Sequence, residues 1–208
     1  MLGCITWFNF QLSLCKLCRP LWIFISNGFY RYMNYKPFVL WLSGLSGAGK
    51  STLSELFKSH LFKEQPDAKV VILDGDAVRT GLNGDLGFSR ADRQENLRRI
   101  AEVAKLLVGE GIIVIVACIT PREANRIMIR KILSESLLHV FLKADINDCK
   151  KRDPKGLYKQ VDQGKIKQFT GLGDAFEEPV NVDLVVDTVH ASPEACLKKI
   201  DQYLKSNA

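Results

Sequence analysis

Gly44-Leu45-Ser46-Gly47-Ala48-Gly49-Lys50-Ser51 is the stretch that decides the fold of this 208-residue chain. It reads as a glycine, four free positions, then Gly-Lys-Ser, the pattern of a phosphate-binding loop. Glycines let the backbone turn tightly with its N–H groups aimed inward at phosphate oxygens. Lys50 brings a positive charge to the outer phosphates, and Ser51 offers a hydroxyl to magnesium. Upstream of it, Phe38 to Ser43 is a short apolar run that reads as a buried strand. Ser51 to Lys63 carries Leu53, Leu56, Phe57 and Leu61 at helical spacing. A loop between such a strand and helix sets the phosphate at a helix N-terminus, where the dipole favours anions. An ordinary glycine-rich turn would need neither Lys50 and Ser51 nor both flanking elements. The stretch therefore predicts binding of a nucleoside triphosphate.

Composition sets the bounds. The length suits one well-cored domain, and hydrophobic and charged fractions of 47% and 25% are those of an ordinary globular protein. Net charge is +6, but Lys16, Arg19 and Arg31 are the only charges in the first 32 residues, leaving 26 basic against 23 acidic side chains beyond them. That mild excess fits polyphosphate binding and, with no dense basic run, gives no argument for nucleic acid. Cys15-x-x-Cys18 stands alone, while Cys118, Cys149 and Cys196 lie scattered in apolar settings. Buried thiols in a reducing compartment are the expectation. Residues 1–32 differ from the rest, being rich in Trp, Phe, Leu and Cys. Leu21 to Ile25 is interrupted by Ser26-Asn27-Gly28 well short of a membrane span, and no cleavage-site pattern follows. We read 1–32 as an atypical extension, with Met33 as the expected true start and 33–208 as the working domain. The cytoplasm and no membrane contact are the matching expectations.

From Met33 onward strands and helices alternate. Lys69 to Asp74 reads as a second buried strand ending on a carboxylate. Ala91 to Glu110 reads as a long helix with Leu97, Ile100, Ala101, Ala104, Leu107 and Val108 along one face, capped by Ser89 with Asp92. Gly111 to Ile119 should be the most buried strand. Thr120-Pro121-Arg122-Glu123 reads as a capping box with proline at the first helical position. Leu138 to Ala144 and Leu184 to Asp187 read as the fourth and fifth strands, and Ser192-Pro193-Glu194 opens a closing helix. This order predicts an α/β fold of the phosphate-loop NTPase type, a five-stranded parallel sheet with helices on both faces. Lys155 to Pro179, glycine-bearing and without a strong period, is a candidate lid.

What receives the phosphoryl group is a separate question. Hydrolases and motor ATPases usually place an acidic residue on a later apolar strand, but Ile112 to Ile119 has none. The carboxylates instead follow the second strand, in Asp74-Gly75-Asp76. That suits a small-molecule kinase, in which one carboxylate orients the acceptor hydroxyl opposite the loop. Asp76 is the candidate base. The competing reading makes Asp74 and Asp76 turn residues or magnesium-shell ligands.

Leu73-Asp74-Gly75-Asp76-Ala77-Val78-Arg79, Gly81-Leu82-Asn83, Asp85-Leu86-Gly87-Phe88-Ser89 and Asp92 to Ile100 then follow in order. With Arg152-Asp153-Pro154-Lys155-Gly156-Leu157-Tyr158 and Phe169-Thr170-Gly171, they resemble the adenylyl-sulfate kinase family from about Val39 to Leu204. The resemblance implies transfer of the ATP γ-phosphoryl to the 3′-hydroxyl of adenosine 5′-phosphosulfate in sulfate activation. It implies ATP contacts from Gly44, Ser46, Gly47, Ala48, Gly49, Lys50, Ser51, Thr52 and Arg152, with Mg2+ on Ser51. Acceptor contacts fall on Asp74, Asp76, Arg79, Phe88, Arg93, Asn96, Ile119, Thr120, Lys155 and Phe169. Phe88 and Phe169 match the family's aromatic pair around the adenine, and stacking suits a flat purine. Arginine forks at Arg79 and Arg93 suit phosphate and sulfate oxygens. Arg93 and Asn96, three apart on one helix, can face the same ligand. Arg98 and Arg99 read as surface or ion-pair residues. A homodimer and a functional pairing with ATP sulfurylase are further family expectations.

Two departures from the family pattern stand out. Thr120 stands where some members carry a serine described as a phosphorylated intermediate, yet the capping box already gives its hydroxyl a structural task. Arg122 and Glu123 replace the usual aromatic residue and arginine. Two rivals remain: a kinase of another small acceptor, such as a sugar or nucleoside, and a non-catalytic nucleotide-binding subunit. Two aromatics with a cation cluster argue against the first, and intact Lys50, Ser51 and Asp76 against the second.

Overall fold

Alternating side chains on the central strand sort the core into two layers. In a computed structural model, residues 35–165, 169–172 and 175–207 are described, so the expectations for residues 1–32, Met33, Cys15 and Cys18 lie outside them. Strand β1 (Val39–Ser43) is buried throughout. Its Leu40 and Leu42 join one apolar cluster and its Val39 and Trp41 the other, as a period of two requires. The first cluster takes Leu53, Phe57 and Leu61 from α1 (Lys50–Glu64), with Cys196 and Ile200 from α7 (Pro193–Ser206). The second takes Leu97, Ile100, Ala101 and Ala104 from α3 (Arg90–Gly109), with Ile129 and Leu133 from α4 (Glu123–Leu133).

The remaining strands are β2 (Val70–Asp74), β3 (Ile113–Ala117), β4 (Leu137–Lys143) and β5 (Leu184–Asp187). They pair in parallel in the order β2-β3-β1-β4-β5, as a sheet with helices on both faces should. The chain moves outward from β1 to β2, returns through β3 and crosses to β4. The loops after β1, β2 and β3 therefore open together at the carboxyl edge, where sheets of this kind bind ligands. Three short helices also form: α2 (Gly75–Arg79), α5 (Ile146–Arg152) and α6 (Leu157–Asp162). No period announced them, and α6 lies inside the stretch read as a lid.

Three expectations need correction. β2 is only half-buried along its length, because among the described residues it is an edge strand with a neighbour on one side. β3 is fully buried, but β1 equals it. The capping box does not form: α4 starts at Glu123 behind Arg122, whose side chain makes no cap. The Glu123 N–H donates instead to the Glu177 carboxylate at 2.7 Å, and the Glu177 N–H donates to the Pro121 carbonyl at 2.8 Å. A carboxylate from distant sequence has taken the task expected of Thr120. The Ser89 cap on α3 and the Ser192 cap on α7, with Pro193 in the first turn, form as read. Arg98 and Arg99 are the expected ion-pair residues, held by Glu95 and Asp85. Cys118, Cys149 and Cys196 are buried free thiols, and burial pushes Cys118 up to about 12. On the β5 edge, the Lys199 ammonium donates to the Val185 carbonyl at 2.8 Å.

Candidate active site

The phosphate loop owes its shape to glycines at positive φ. Gly44 sits at +146° and Gly47 at +80°, and an added Cβ would lie 2.7 Å from the Leu142 carbonyl oxygen and 2.9 Å from that of Cys149. No side chain fits at either place. Gly44 and Ala48 shape the loop from beneath: the Gly44 N–H donates to the Ile119 carbonyl, and Ala48 is buried. Ser46, Gly47, Gly49, Lys50, Ser51 and Thr52 line the cleft above. The Lys50 ammonium donates to the carbonyls of Gly44 at 3.0 Å and Leu45 at 2.8 Å. Burial draws its pKa down to about 8, against opposing pulls from Cys118, Cys149 and Asp76. Lys50 is thus a poorly solvated cation folded over its own loop, ready for anionic oxygens.

The carboxylates divide their tasks. Asp74, the last residue of β2, accepts from the Asp76 and Ala77 N–H groups with one oxygen, capping α2. Its other oxygen accepts from the Ser51 hydroxyl at 3.1 Å, which joins β2 to the start of α1. Asp76 projects into the cleft and meets the Lys155 ammonium at 2.5 Å. The hydrogen bond to Asp76 is the main reason the Lys155 pKa is raised. The pair closes a loop between sequence positions 79 residues apart.

Around them sits the cation and aromatic group. The Arg79 guanidinium lies 4.7 Å from the Phe88 ring centroid and that of Arg93 5.8 Å, so both engage the ring. Arg79 also donates to the Gly87 carbonyl at 2.8 Å, and Arg93 to the Phe88 carbonyl at 2.9 Å and the Thr170 hydroxyl at 2.7 Å. The two phenylalanines differ sharply in setting. Phe88 is 60% exposed, whereas Phe169 is 8% exposed and packs edge-on against Tyr158 with centroids 4.9 Å apart. Both line the cleft, as do Asn96, Ile119 and Thr120.

Thr120 is held in an unexpected way. It is 1% exposed, its φ is +50°, and its hydroxyl accepts from the Trp41 indole at 2.9 Å while donating to the Cys118 carbonyl at 3.4 Å. A β-branched residue at positive φ is strained, and such strain collects at functional sites. Trp41 lies within the run Phe38 to Ser43 read as a buried strand. Its polar edge had no visible partner until the fold brought β1 beside the end of β3.

At the opposite end of the cleft, Arg152 donates to the Gly47 carbonyl at 3.3 Å and the Thr188 carbonyl at 2.6 Å. Thr188, Val189, Ala191, Pro193 and Cys196 complete this wall, and none was read as a site residue. They follow β5 as an ordinary turn and helix start, so no residue type marked them. The cleft encloses about 750 Å³, in the range of small-molecule and cofactor sites. It holds phosphate donors in the middle, an apolar wall at one end, and aromatics, arginines and a carboxylate at the other. Such an arrangement can align two anionic ligands for phosphoryl transfer.

The family model described as adenylylsulphate kinase matches residues 36–187. The chain is 46% identical over 183 residues to an adenylyl-sulfate kinase of Bacillus pumilus, covering 88% of this chain and 92% of that one. It is 47% identical over 172 residues to an adenylyl-sulfate kinase of Bacillus licheniformis, covering 82% and 86%. Among solved structures it resembles the Mycobacterium tuberculosis APS kinase CysC in complex with AMPPNP and APS, at TM-score 0.77 and 38% identity, covering 82% of this chain and 98% of that one.

Proposed function

The chain belongs to the adenylyl-sulfate kinase family, and on that premise we infer that it moves the ATP γ-phosphoryl to the 3′-hydroxyl of adenosine 5′-phosphosulfate. One observation carries the reading to this chain's own residues. Lys50 and Ser51 face Asp76, Arg79, Phe88 and Arg93 across a single cleft. The apolar wall beyond Arg152 takes the ATP base, and the phosphates lie over Gly47 to Ser51. The acceptor adenine sits between Phe88 and Phe169, and Arg79 and Arg93 face its phosphosulfate oxygens.

In the transfer, the 3′-oxygen bonds to the γ-phosphorus as the bond from that phosphorus to the ADP oxygen breaks. The hydroxyl proton passes to the Asp76 carboxylate. Lys50 neutralises charge on the outer phosphates. Lys155 leaves Asp76 as the acceptor enters. Thr120 takes no covalent part, because the Trp41 indole and the Cys118 carbonyl already engage its hydroxyl. The hard oxygens of Ser51 and Asp74, 3.1 Å apart, fit Mg2+, which usually keeps waters and few protein ligands. Bound there with ATP, it would supply charge neutralisation at the β- and γ-phosphates.

Among the described residues, no helix is long and apolar enough to cross a membrane. We place the reaction in the cytoplasm and the chain in a homodimer, with ATP sulfurylase as the functional partner that supplies the acceptor. Light scattering of the purified protein tests the dimer.

The activity is tested with ATP, magnesium and adenosine 5′-phosphosulfate, identifying the product by mass and by the position of its new phosphate. We expect a 3′-phosphorylated product whose rate falls at least about a hundredfold in Asp76→Asn. An undiminished rate in the variant would remove Asp76 from the reaction. A folded, ATP-binding protein that makes no product would return the chain to the non-catalytic alternative.

A further inference from the structure

Asn83 is fully buried and carries an oxygen with no hydrogen-bond partner among the described residues. Its backbone is fixed, with its N–H donating to the Val78 carbonyl at 3.0 Å and its carbonyl accepting from the Leu86 N–H at 3.1 Å. Its side-chain nitrogen lies 2.9 Å from Asn96 Oδ1 and 3.4 Å from the Asn96 backbone carbonyl oxygen.

The two ends of a carboxamide have nearly the same shape, so chemistry must decide which end points where. A backbone carbonyl can only accept. The Asn83 atom facing it must therefore be the NH2, since the reverse would set oxygen against oxygen. That NH2 spends its two hydrogens on Asn96, one on the backbone carbonyl and one on the side chain. The Asn96 atom in that contact must then be its own oxygen. Only the Asn96 NH2 is left for the cleft, which Asn96 lines, and among the described residues nothing accepts from it. The orphaned Asn83 oxygen supports the same conclusion. A residue kept only for packing would fill this site better as an apolar side chain, whereas leaving a buried acceptor unpaired is tolerable if the other end has a task.

We propose that Asn83 is a positioning residue that locks the Asn96 amide with its NH2 turned into the cleft. That stretch of the acceptor wall then presents a hydrogen-bond donor, which selects an oxyanion or an unprotonated ring nitrogen of the nucleotide. The proposal rests on the adenosine 5′-phosphosulfate reading for the identity of that nucleotide, but the amide orientation itself does not.

The test uses the full chain with isotope-labelled asparagine side chains, observed by nuclear magnetic resonance and assigned with Asn83→Ala and Asn96→Ser. In the ligand-free protein the Asn83 NH2 should exchange with solvent more slowly than that of Asn96, which is 5% exposed. The reverse order overturns the orientation. Adding adenosine 5′-phosphosulfate should shift and protect the Asn96 NH2 pair. An unmoved pair, with binding confirmed by calorimetry, overturns its role as donor. Asn83→Ala should raise the acceptor KM about tenfold while the KM for ATP stays within about twofold. Equal losses for both substrates would mark Asn83 as merely structural and sink the positioning role. Should that variant fail to fold, the wild-type spectra still decide. If the wild-type protein phosphorylates no adenosine 5′-phosphosulfate, the functional reading fails while the ligand-free exchange pattern continues to test the orientation.

Discussion

The end of the cleft proposed for the phosphates is built mainly on the backbone of one contiguous octet, Gly44 to Ser51, whereas the end proposed for the acceptor is side chains delivered from β2, α2, α3 and the segment around Phe169. At the first end the geometry is held by glycine conformations and by Lys50 bonding its own loop. At the second it is held by pairings across long sequence gaps, such as Lys155 with Asp76 and Arg93 with Thr170. A backbone-built site is set by local conformation and tolerates few residue types. A site built of side chains depends on the whole fold to meet, and its members can be exchanged one at a time. The ends should therefore fail differently when altered.

The largest effect is expected at the phosphate end. Lys50→Ala should lower kcat about a thousandfold, because a preorganised cation is lost where charge develops. The fold should survive, since the glycine turns remain. Single-turnover kinetics on protein of unchanged melting temperature make the check, and a loss under about tenfold would erase the contrast. An intermediate effect is expected at the acceptor end. Phe88→Ala removes an exposed stacking face worth about 1–3 kcal/mol to a base. The acceptor KM should rise about tenfold or more with the KM for ATP unchanged, and a matching rise for ATP would show that the two ends are not separable. The smallest catalytic effect is expected between them. Thr120→Val keeps shape but leaves the buried Trp41 N–H unpaired, at a cost of about 1–3 kcal/mol in stability by denaturant titration. Turnover should change by no more than a few-fold. A collapse of turnover, with phosphate found on wild-type Thr120 after incubation with ATP alone, would make Thr120 a reacting residue.

How much of this was legible follows the same division. All five strands and the four long helices were readable, because apolar runs bounded by glycine or proline and helical periodicity are local signals. The phosphate loop was readable as a motif, and most of the residues proposed to hold the acceptor were named only through family resemblance. What escaped was whatever needed a distant partner. Thr120-x-x-Glu123 matches a capping box, yet Trp41 claims the hydroxyl and Glu177 supplies the cap. The burial of β2 was overestimated because a run such as Val70 to Leu73 does not say whether a second neighbour exists. The wall from Thr188 to Cys196 gave no signal, since a turn before a helix looks the same with or without a ligand beside it. Asn83 read as one letter of a motif, because its meaning lies in the amide it grips.

The lysine on the β5 edge bears on how the protein behaves in a crowded solution. Among the described residues β5 is an outermost strand with Val185 exposed, and an open strand of this kind is a template on which another chain can lengthen the sheet. By placing its ammonium on the Val185 carbonyl, Lys199 occupies one of the acceptors that an incoming strand would need and sets a charge in its path. The parallel sheet thus carries at β5 its own stop against edge-to-edge growth, supplied by α7.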